Sequence, residues 1–221
     1  MFDSWNYLYM EASEKELDTF ASEYLERSHS LIEYALKNKN MSCNAIRKIH
    51  EYMAQRMFAQ STYVALVLNQ NTPKDILIDI YNKVNTGKLY DYDARIHGGI
   101  CGNHNMEASW LHNEAVKFIK KEVKQDSPWT TNLNEIVFNK SVSVETLKMI
   151  VLDCEDNMTK LHALFRYFMI NENECKHFTH KNICSKKTLS ESNELLKQKF
   201  EKWKKDFDLV LEFHDLMYLN I

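Results

Sequence analysis

A short motif that recurs five times constrains the fold of this chain more than any other feature of its sequence. It consists of an asparagine, one further residue, and a second asparagine or a serine, and we call each copy a corner. The first asparagines lie 31 to 36 residues apart, inside the range of helical repeat families. They are Asn38, Asn69, Asn103, Asn139 and Asn171. The second positions are Asn40, Asn71, Asn105, Ser141 and Asn173.

The residues on either side of the corners repeat as well. The positions three and two before each first asparagine are apolar in all five segments. The positions six and nine residues after the second corner residue are also apolar in most segments. The exceptions are Glu114 in the third segment and Thr179 and Asn182 in the fifth. The flanking match favours real repetition over the accidental pattern that an Asn-rich chain also produces, as at Asn132 and Asn134.

Each corner has the chemistry of a helix end followed by a helix start. Asparagine tolerates the left-handed backbone conformation that ends many helices. An Asn or Ser side chain accepts hydrogen bonds from the free N–H groups that open the next helix. The sequence therefore predicts about five degenerate helix pairs over residues 35–184.

The scarcity of turn residues also favours helices. The chain has 4 Gly and 2 Pro among 221 residues, whereas sandwiches, barrels and α/β folds need both at their tight turns. We therefore predict an all-α fold and a single domain over residues 1–221. Its parts are acidic N-terminal helices over residues 1–34, the helix pairs, and a C-terminal amphipathic helix over residues 185–221.

The C-terminal run is predicted to be one long helix. Ser190 is a plausible cap, and Leu195, Phe200, Trp203 and Phe207 begin an apolar stripe at helical spacing. A stack of repeats needs an end helix that shields its last apolar face. We interpret the run as a capping helix, with a dimerisation or partner helix as the alternative.

The second segment, YVALVLNQNTPKDILIDIY, resembles the leucine-rich repeat variant and related HEAT-like helical repeats. The match is carried by Asn69, Asn71, Thr72, Pro73 and Leu77. The other segments keep the asparagine and the apolar frame but lack Thr-Pro, and the resemblance covers roughly residues 30–184. The resemblance implies a short α-solenoid, a curved right-handed stack of helices with a concave binding face. It implies no catalytic residues.

Residues 85–99 are the least helical stretch and are predicted to form a loop between segments. Tyr90 and Tyr92 in this loop are expected to be exposed. Loops on rigid scaffolds often carry function, so these tyrosines are candidate binding residues. The chain's four glycines lie in or beside the loop, at Gly87, Gly98, Gly99 and Gly102.

Three patterns in the sequence contain residue types found in metal sites. Cys175, His177, His180 and Cys184 are residue types that bind zinc, but on one helix Cys175 would point away from the other three. Two Glu-x-x-His pairs have the spacing used in di-metal helix bundles, although no companion glutamate can be singled out. They are Glu26/His29 and Glu174/His177. We predict ordinary surface or half-buried side chains at all three, and no metal.

Catalytic patterns are weaker still. Cys101 with His97 and His104 offers a thiolate and a base, but no third orienting group can be placed and Cys101 falls at a predicted core position. Neither a phosphate-binding loop nor a nucleophile elbow occurs. We therefore expect no enzymatic activity and no cofactor.

Charge distribution leaves two kinds of partner open. The net charge is −3, so the whole chain is not basic as a nucleic-acid-binding protein would be. Lysines nevertheless concentrate within residues 176–205, and the candidate binding residues there are Lys186, Lys187, Lys197, Lys202, Lys204 and Lys205. We predict an adaptor or inhibitor that binds a protein, with nucleic-acid binding by the basic region as the alternative.

The expected location is the cytoplasm. The five cysteines are odd in number and scattered, which fits a reducing compartment better than a disulfide framework. The first residues lack the pattern of a signal peptide, and no apolar stretch is long enough for a membrane span. The abundance of Asn, Lys, Ile and Tyr favours an AT-rich genome, such as that of a virus or phage.

Overall fold

The computed structural model describes residues 6–27, 29–120 and 132–171, and these residues form helices and connecting segments without a strand. The all-α prediction is confirmed. Contacts divide the chain into two compact units between Val142 and Ser143. The single domain over residues 1–221 stays a prediction. Within the described ranges, no helix combines the length and the apolar character needed to cross a bilayer.

The first unit alternates short and long helices. A π-helical turn at Tyr7–Glu11, helix α1 (Glu14–Thr19), a second π-helical turn at Phe20–Tyr24 and a 3-10 turn at His29–Leu31 come first. The helices that follow are α2 (Ile32–Leu36), α3 (Cys43–Ala54), α4 (Gln60–Leu68), α5 (Lys74–Asn85), α6 (Arg95–Gly102), α7 (Ala108–Ile119) and α8 (Asn132–Phe138). Each short helix, α2, α4, α6 and α8, ends at or just before a corner.

The second unit contains helices α9 (Val144–Asp153) and α10 (Asn157–Asn171), which pack against each other. The Ser143 hydroxyl accepts from Thr146 N and caps α9. The Asp156 carboxylate accepts from Thr159 N at the start of α10. Asn171 is the last residue of α10, so the rest of the fifth corner and the predicted C-terminal helix lie outside the described residues.

The core of the first unit lies where the corner-flanking pattern predicts it. Helices α2, α4, α6 and α8 pack side by side in chain order. The two apolar positions before each of the four corners of this unit are fully buried. They are Ala35, Leu36, Leu66, Val67, Ile100, Cys101, Ile136 and Val137. Removing the surface of these residues from water stabilises the fold. Because such a buried pair recurs in every short helix, each short helix packs against the next one in chain order.

The first asparagine is buried in the four corners of the first unit, and in the last three of these it bonds the preceding corner. Asn103 Nδ2 donates to Val67 O at 2.8 Å and to Asn69 O at 2.9 Å, while its Oδ1 accepts from Asn105 N at 3.0 Å. Asn69 and Asn139 make the same three bonds one segment earlier and one segment later. Successive corners of the first unit are thus joined by side-chain amides.

The series begins at Asn38, whose Nδ2 donates to Leu8 O and Ala12 O. The N-terminal turns therefore supply the carbonyls that a preceding corner supplies elsewhere. Asn38 Oδ1 accepts from Asn40 N, as in the other corners. Four of the five predicted corners consequently share one hydrogen-bonding pattern.

The second position of the corners at Asn69, Asn103 and Asn139 adds a parallel set of bonds. Asn105 Nδ2 donates to Gln70 O and Thr72 O, both at 2.9 Å. Asn71 makes the same pair of bonds one corner earlier. Ser141 has one hydroxyl proton and makes one such bond, to His104 O at 2.9 Å. Serine can therefore replace asparagine here with the loss of a single bond.

The asparagines lie at the predicted junctions between helices, but the predicted chemical reason for asparagine at these junctions was wrong. Asn69 and Asn103 have φ of −68° and −76° with extended ψ, so neither is left-handed. Asn71 and Asn105 do not cap the helices that follow, because α5 and α7 begin without a side-chain cap. At both positions the side-chain amide instead donates to backbone carbonyl groups of the preceding corner.

The predicted loop over residues 85–99 was too long at its C-terminal end. Helix α6 begins at Arg95, so the connecting segment is residues 86–94. The Asp91 carboxylate accepts from Ile96 N and His97 N. It therefore caps this helix, although it precedes the first helical residue in the chain by several positions. Because that cap and the packing of neighbouring helices stabilise α6, it tolerates Gly98 and Gly99.

The glycines of α6 allow close packing on both sides. A Cβ atom on Gly99 would lie 2.5 Å from Val67 Cγ2, inside the core against α4. A Cβ atom on Gly102 would lie 2.9 Å from Glu135 Oε2, the end of a flexible side chain on α8. The two positions therefore differ in what an added methyl group must displace.

We predict that Gly99→Ala lowers the free energy of unfolding by about 2 kcal/mol, because the added methyl group would overlap the fully buried Val67 side chain. Gly102→Ala serves as the matched control and should stay within about 1 kcal/mol of wild type, since Glu135 can rotate towards solvent and alanine favours helix. Urea unfolding followed by circular dichroism measures both. Equal losses would contradict the packing described for α6.

We also predict that Asn103→Asp costs about 3 kcal/mol or more of unfolding free energy, because it removes both amide donors and turns a carboxylate towards two carbonyl oxygens. Asn44→Asp is the control, since Asn44 is exposed in the first turn of α3, where a negative charge is favourable. Chemical denaturation at neutral pH distinguishes the two. Similar stability for both variants would refute the role of the Asn103 amide.

Candidate functional site

The loop of residues 86–94 presents two aromatic side chains to solvent. Tyr90 is 67% exposed and Tyr92 is 73% exposed. Their ring centroids lie 4.3 Å apart, and the ring planes are tilted by 43°. The predicted exposure of both tyrosines is therefore found, and the two rings also contact each other.

Hydrogen bonds hold this loop at several points. Asp91, between the two tyrosines, accepts from Ile96 N at 3.1 Å and from His97 N at 2.9 Å. Gln60 Nε2, at the start of α4, donates to Asp91 Oδ1 at 3.0 Å and to Asp93 Oδ1 at 2.8 Å. The loop is thus attached both to the helix that follows it and to the neighbouring short helix.

The loop's first residues form a tight turn at the end of α5. Lys88 N and Leu89 N both donate to Lys83 O, at 2.9 and 3.0 Å. Gly87 has φ of +71°, a left-handed conformation that glycine adopts without strain. The tyrosines therefore extend from a backbone that is fixed on both sides.

The preceding connection, residues 55–59, adds a third exposed apolar side chain. Met57 is 95% exposed, and Gln60, three residues later, bonds the tyrosine loop. Both connections lead from a long helix into the next short helix. We call Met57, Tyr90 and Tyr92 together the loop edge.

A buried polar network lies beneath the start of α6. Glu114 on α7 is 1% exposed, and its carboxylate accepts from Tyr81 OH at 2.6 Å and Lys117 Nζ at 2.5 Å. His97 Nε2 lies 3.1 Å from Glu114 Oε2. Since His97 N also bonds Asp91, the tyrosine loop and the buried network meet at one residue.

The network governs the ionisation of its members. Burial acts to raise the pKa of Glu114, but hydrogen bonds from His97, Lys117 and Tyr81 outweigh it and lower the pKa. Burial and the bond to Glu114 raise the pKa of Tyr81. Glu114 is therefore an ionised carboxylate at neutral pH, and its negative charge is balanced by Lys117.

The sequence did not reveal this network, but it held a signal. Glu114 breaks the apolar pattern after its corner, and the structure buries it with partners. His97 is the matching exception on α6, because Ile32, Tyr63 and Leu133 occupy the equivalent position in the other segments. The two residues that break the apolar pattern lie on consecutive helices, and in the structure they contact each other as a buried pair.

A shallow cavity of about 140 Å³ lies between α3 and α5. Arg47 on its wall binds both carboxylate oxygens of Asp75, and His50 Nε2 lies 3.0 Å from Asp79 Oδ2. Burial lowers the pKa of His50. Four of the charged or titratable side chains that line the cavity are therefore paired with each other, and Glu51 also lines it.

The catalytic cysteine hypothesis receives no support from the geometry. Cys101 is fully buried, and burial together with the Glu114 carboxylate raises the pKa of its thiol well above the ordinary value. His97 directs Nε2 to Glu114. Among the residues that the structure describes, no three His, Cys, Asp or Glu side chains group as they would around a metal ion.

The other candidates fall mainly outside the described residues. Glu26 forms an exposed ion pair with Arg56 at 3.3 Å, and the side chain of its predicted partner His29 is not among those described. Glu174 and the lysines and metal-ligand candidates further on lie beyond residue 171. They are Cys175, His177, His180, Cys184, Lys186, Lys187, Lys197, Lys202, Lys204 and Lys205.

We predict that Glu114→Gln lowers the free energy of unfolding at pH 7 by about 3 kcal/mol, because it removes the charge of a buried carboxylate that has three side-chain hydrogen-bond partners. The pKa of Glu114 is lowered on folding, so its ionised form stabilises the protein above its ordinary value near 4.5 and loses this effect as the pH falls through the folded value. The difference between wild type and variant should therefore shrink below pH 4.5.

Urea unfolding over a pH series measures this difference. Glu51→Gln, which changes an exposed carboxylate on α3, is the control and should have a small effect at every pH. A wild-type advantage over Glu114→Gln that stays constant on acidification would show that the carboxylate does not act as an ionised partner.

Three comparisons were made with the whole chain. Searches against protein-family models, curated proteins and solved structures found no match. The contacts of the chain's own residues are therefore what a functional proposal can rest on.

Proposed function

We propose that this chain is a non-enzymatic binding protein, an adaptor or inhibitor, which engages a protein partner through its loop edge. The observation that carries the proposal is the contacting pair Tyr90 and Tyr92, largely exposed on a loop that hydrogen bonds hold in place. Exposed aromatic side chains on a fixed backbone are a common means of protein recognition.

The scaffold we propose for this loop is a short α-solenoid in the first unit, of the HEAT-like or leucine-rich-repeat-variant kind. It is supported by four corners with the same side-chain to backbone bonds and by the chain-order packing of α2, α4, α6 and α8. In such a stack each helix pair contacts its neighbours, and loops between pairs vary without disturbing the core.

Tyrosine suits this role for energetic reasons. A Tyr side chain buries a large area while losing little rotamer freedom, and its hydroxyl bonds polar groups of the partner. Because Asp91 and Gln60 already hold the loop, little backbone entropy remains to be lost on binding. Met57, on the adjacent connection, adds an adaptable apolar contact.

The proposal assigns no catalytic role to the polar network or to Cys101. Glu114 and His97 are buried and lie within hydrogen-bonding distance of each other, and Glu114 also accepts from Tyr81 and Lys117. Cys101 is a buried, protonated thiol. Neither arrangement presents a nucleophile or a base to a substrate.

We predict that replacing both tyrosines by alanine, in Tyr90→Ala/Tyr92→Ala, weakens partner binding at least about tenfold, because aromatic anchors each contribute about 2 kcal/mol or more. The tagged wild-type protein is used to recover its partner from nuclease-treated native lysate, and the affinity of the purified pair is then measured by calorimetry. Leu152→Ala removes an exposed apolar side chain of α9 and should leave binding unchanged.

Circular dichroism and thermal unfolding must show that all three proteins are folded before affinities are compared. A partner that binds the tyrosine variant as tightly as wild type would move the contact away from the loop edge. Recovery of no stoichiometric protein would contradict the binding function itself. Nuclease treatment ensures that nucleic acid does not bridge the two proteins.

A further inference from the structure

We propose that Tyr90 and Tyr92 form a site of oxidative modification, at which a haem peroxidase with hydrogen peroxide joins the two rings as an intramolecular dityrosine. The inference goes beyond the proposed function and stands without it, because it concerns the reactivity of the pair and not a partner. It rests on the contact, the exposure and the fixed backbone of these two residues.

Proximity is the first requirement for this coupling. The ring centroids are 4.3 Å apart, so the two rings touch before any reaction takes place. Asp91 between them bonds two backbone N–H groups of α6, and Gln60 bonds both Asp91 and Asp93. The loop therefore holds the reacting rings together, which raises the effective concentration of one for the other.

Access to the oxidant is the second requirement. Both side chains are more than half exposed, Tyr90 at 67% and Tyr92 at 73%. Tyr81 provides a contrast within the same unit, because it is half-buried and donates its hydroxyl proton to Glu114. An enzyme-sized oxidant reaches the first two phenols more readily than the third.

The reaction balances with the oxidant named. Each phenol loses one electron and one proton to give a phenoxyl radical, and the two electrons and two protons reduce hydrogen peroxide to two molecules of water. The radicals couple through ring carbons next to the hydroxyl-bearing carbons, forming one carbon–carbon bond. Hydrogen then moves from each coupled carbon to its oxygen, which restores both aromatic rings and both hydroxyls.

The test treats the folded full-length protein with peroxidase and hydrogen peroxide at low protein concentration, followed by trypsin digestion and mass spectrometry. Cleavage after Lys88 and Arg95 releases residues 89–95, a peptide that contains both tyrosines. We expect this peptide to lose two hydrogen atoms, to resist fragmentation between the two tyrosines, and to show dityrosine fluorescence.

Three comparisons make the result specific. Tyr90→Phe and Tyr92→Phe should each abolish the modified peptide, whereas Tyr9→Phe, which alters another exposed tyrosine, should not. Protein unfolded in urea should give about tenfold less, because the loop no longer positions the rings. Equal yields from folded and unfolded protein, or oxidation that leaves residues 89–95 unmodified while other tyrosines react, would overturn the proposal.

Discussion

The buried side-chain amide at each corner is the interaction on which the first unit depends. Burying an amide is unfavourable unless its polar atoms are bonded, and Asn69, Asn103 and Asn139 each bond with both donors and the acceptor. Aspartate of the same length lacks the donors, and glutamine is longer by one methylene. Asparagine is the residue that joins a corner to the one before it.

The corners join the helices at one end, whereas the connections at the opposite ends of the helices differ in length. The connection between α3 and α4 is residues 55–59, whereas that between α5 and α6 is residues 86–94. The longer connection carries the contacting tyrosines, and its Asp91 caps α6. His97 connects this loop to the buried Glu114, because its backbone N–H donates to Asp91 and its Nε2 lies beside the Glu114 carboxylate. The longer connection therefore presents an exposed aromatic pair and is joined through His97 to the buried polar network.

Sequence pattern predicted the helical class, four corner positions and the buried apolar residues beside them, because all of these depend on local periodicity. It misjudged the role of the asparagines, since the carbonyls that Asn103 binds belong to a corner 34 residues earlier. It also missed the pairing of His97 with Glu114, because depth of burial is set by packing between helices. The exposure of Tyr90 and Tyr92 was predictable, but their mutual contact depends on Asp91.

Hydrogen exchange of asparagine side-chain amides, followed by NMR, tests the joining role of the corners most directly. The Nδ2 protons of Asn38, Asn69, Asn103 and Asn139 should exchange at least about a hundredfold more slowly than those of the exposed Asn44, because they are released only when the packed corners open. Exchange of the four amides at the rate of Asn44 would contradict the account.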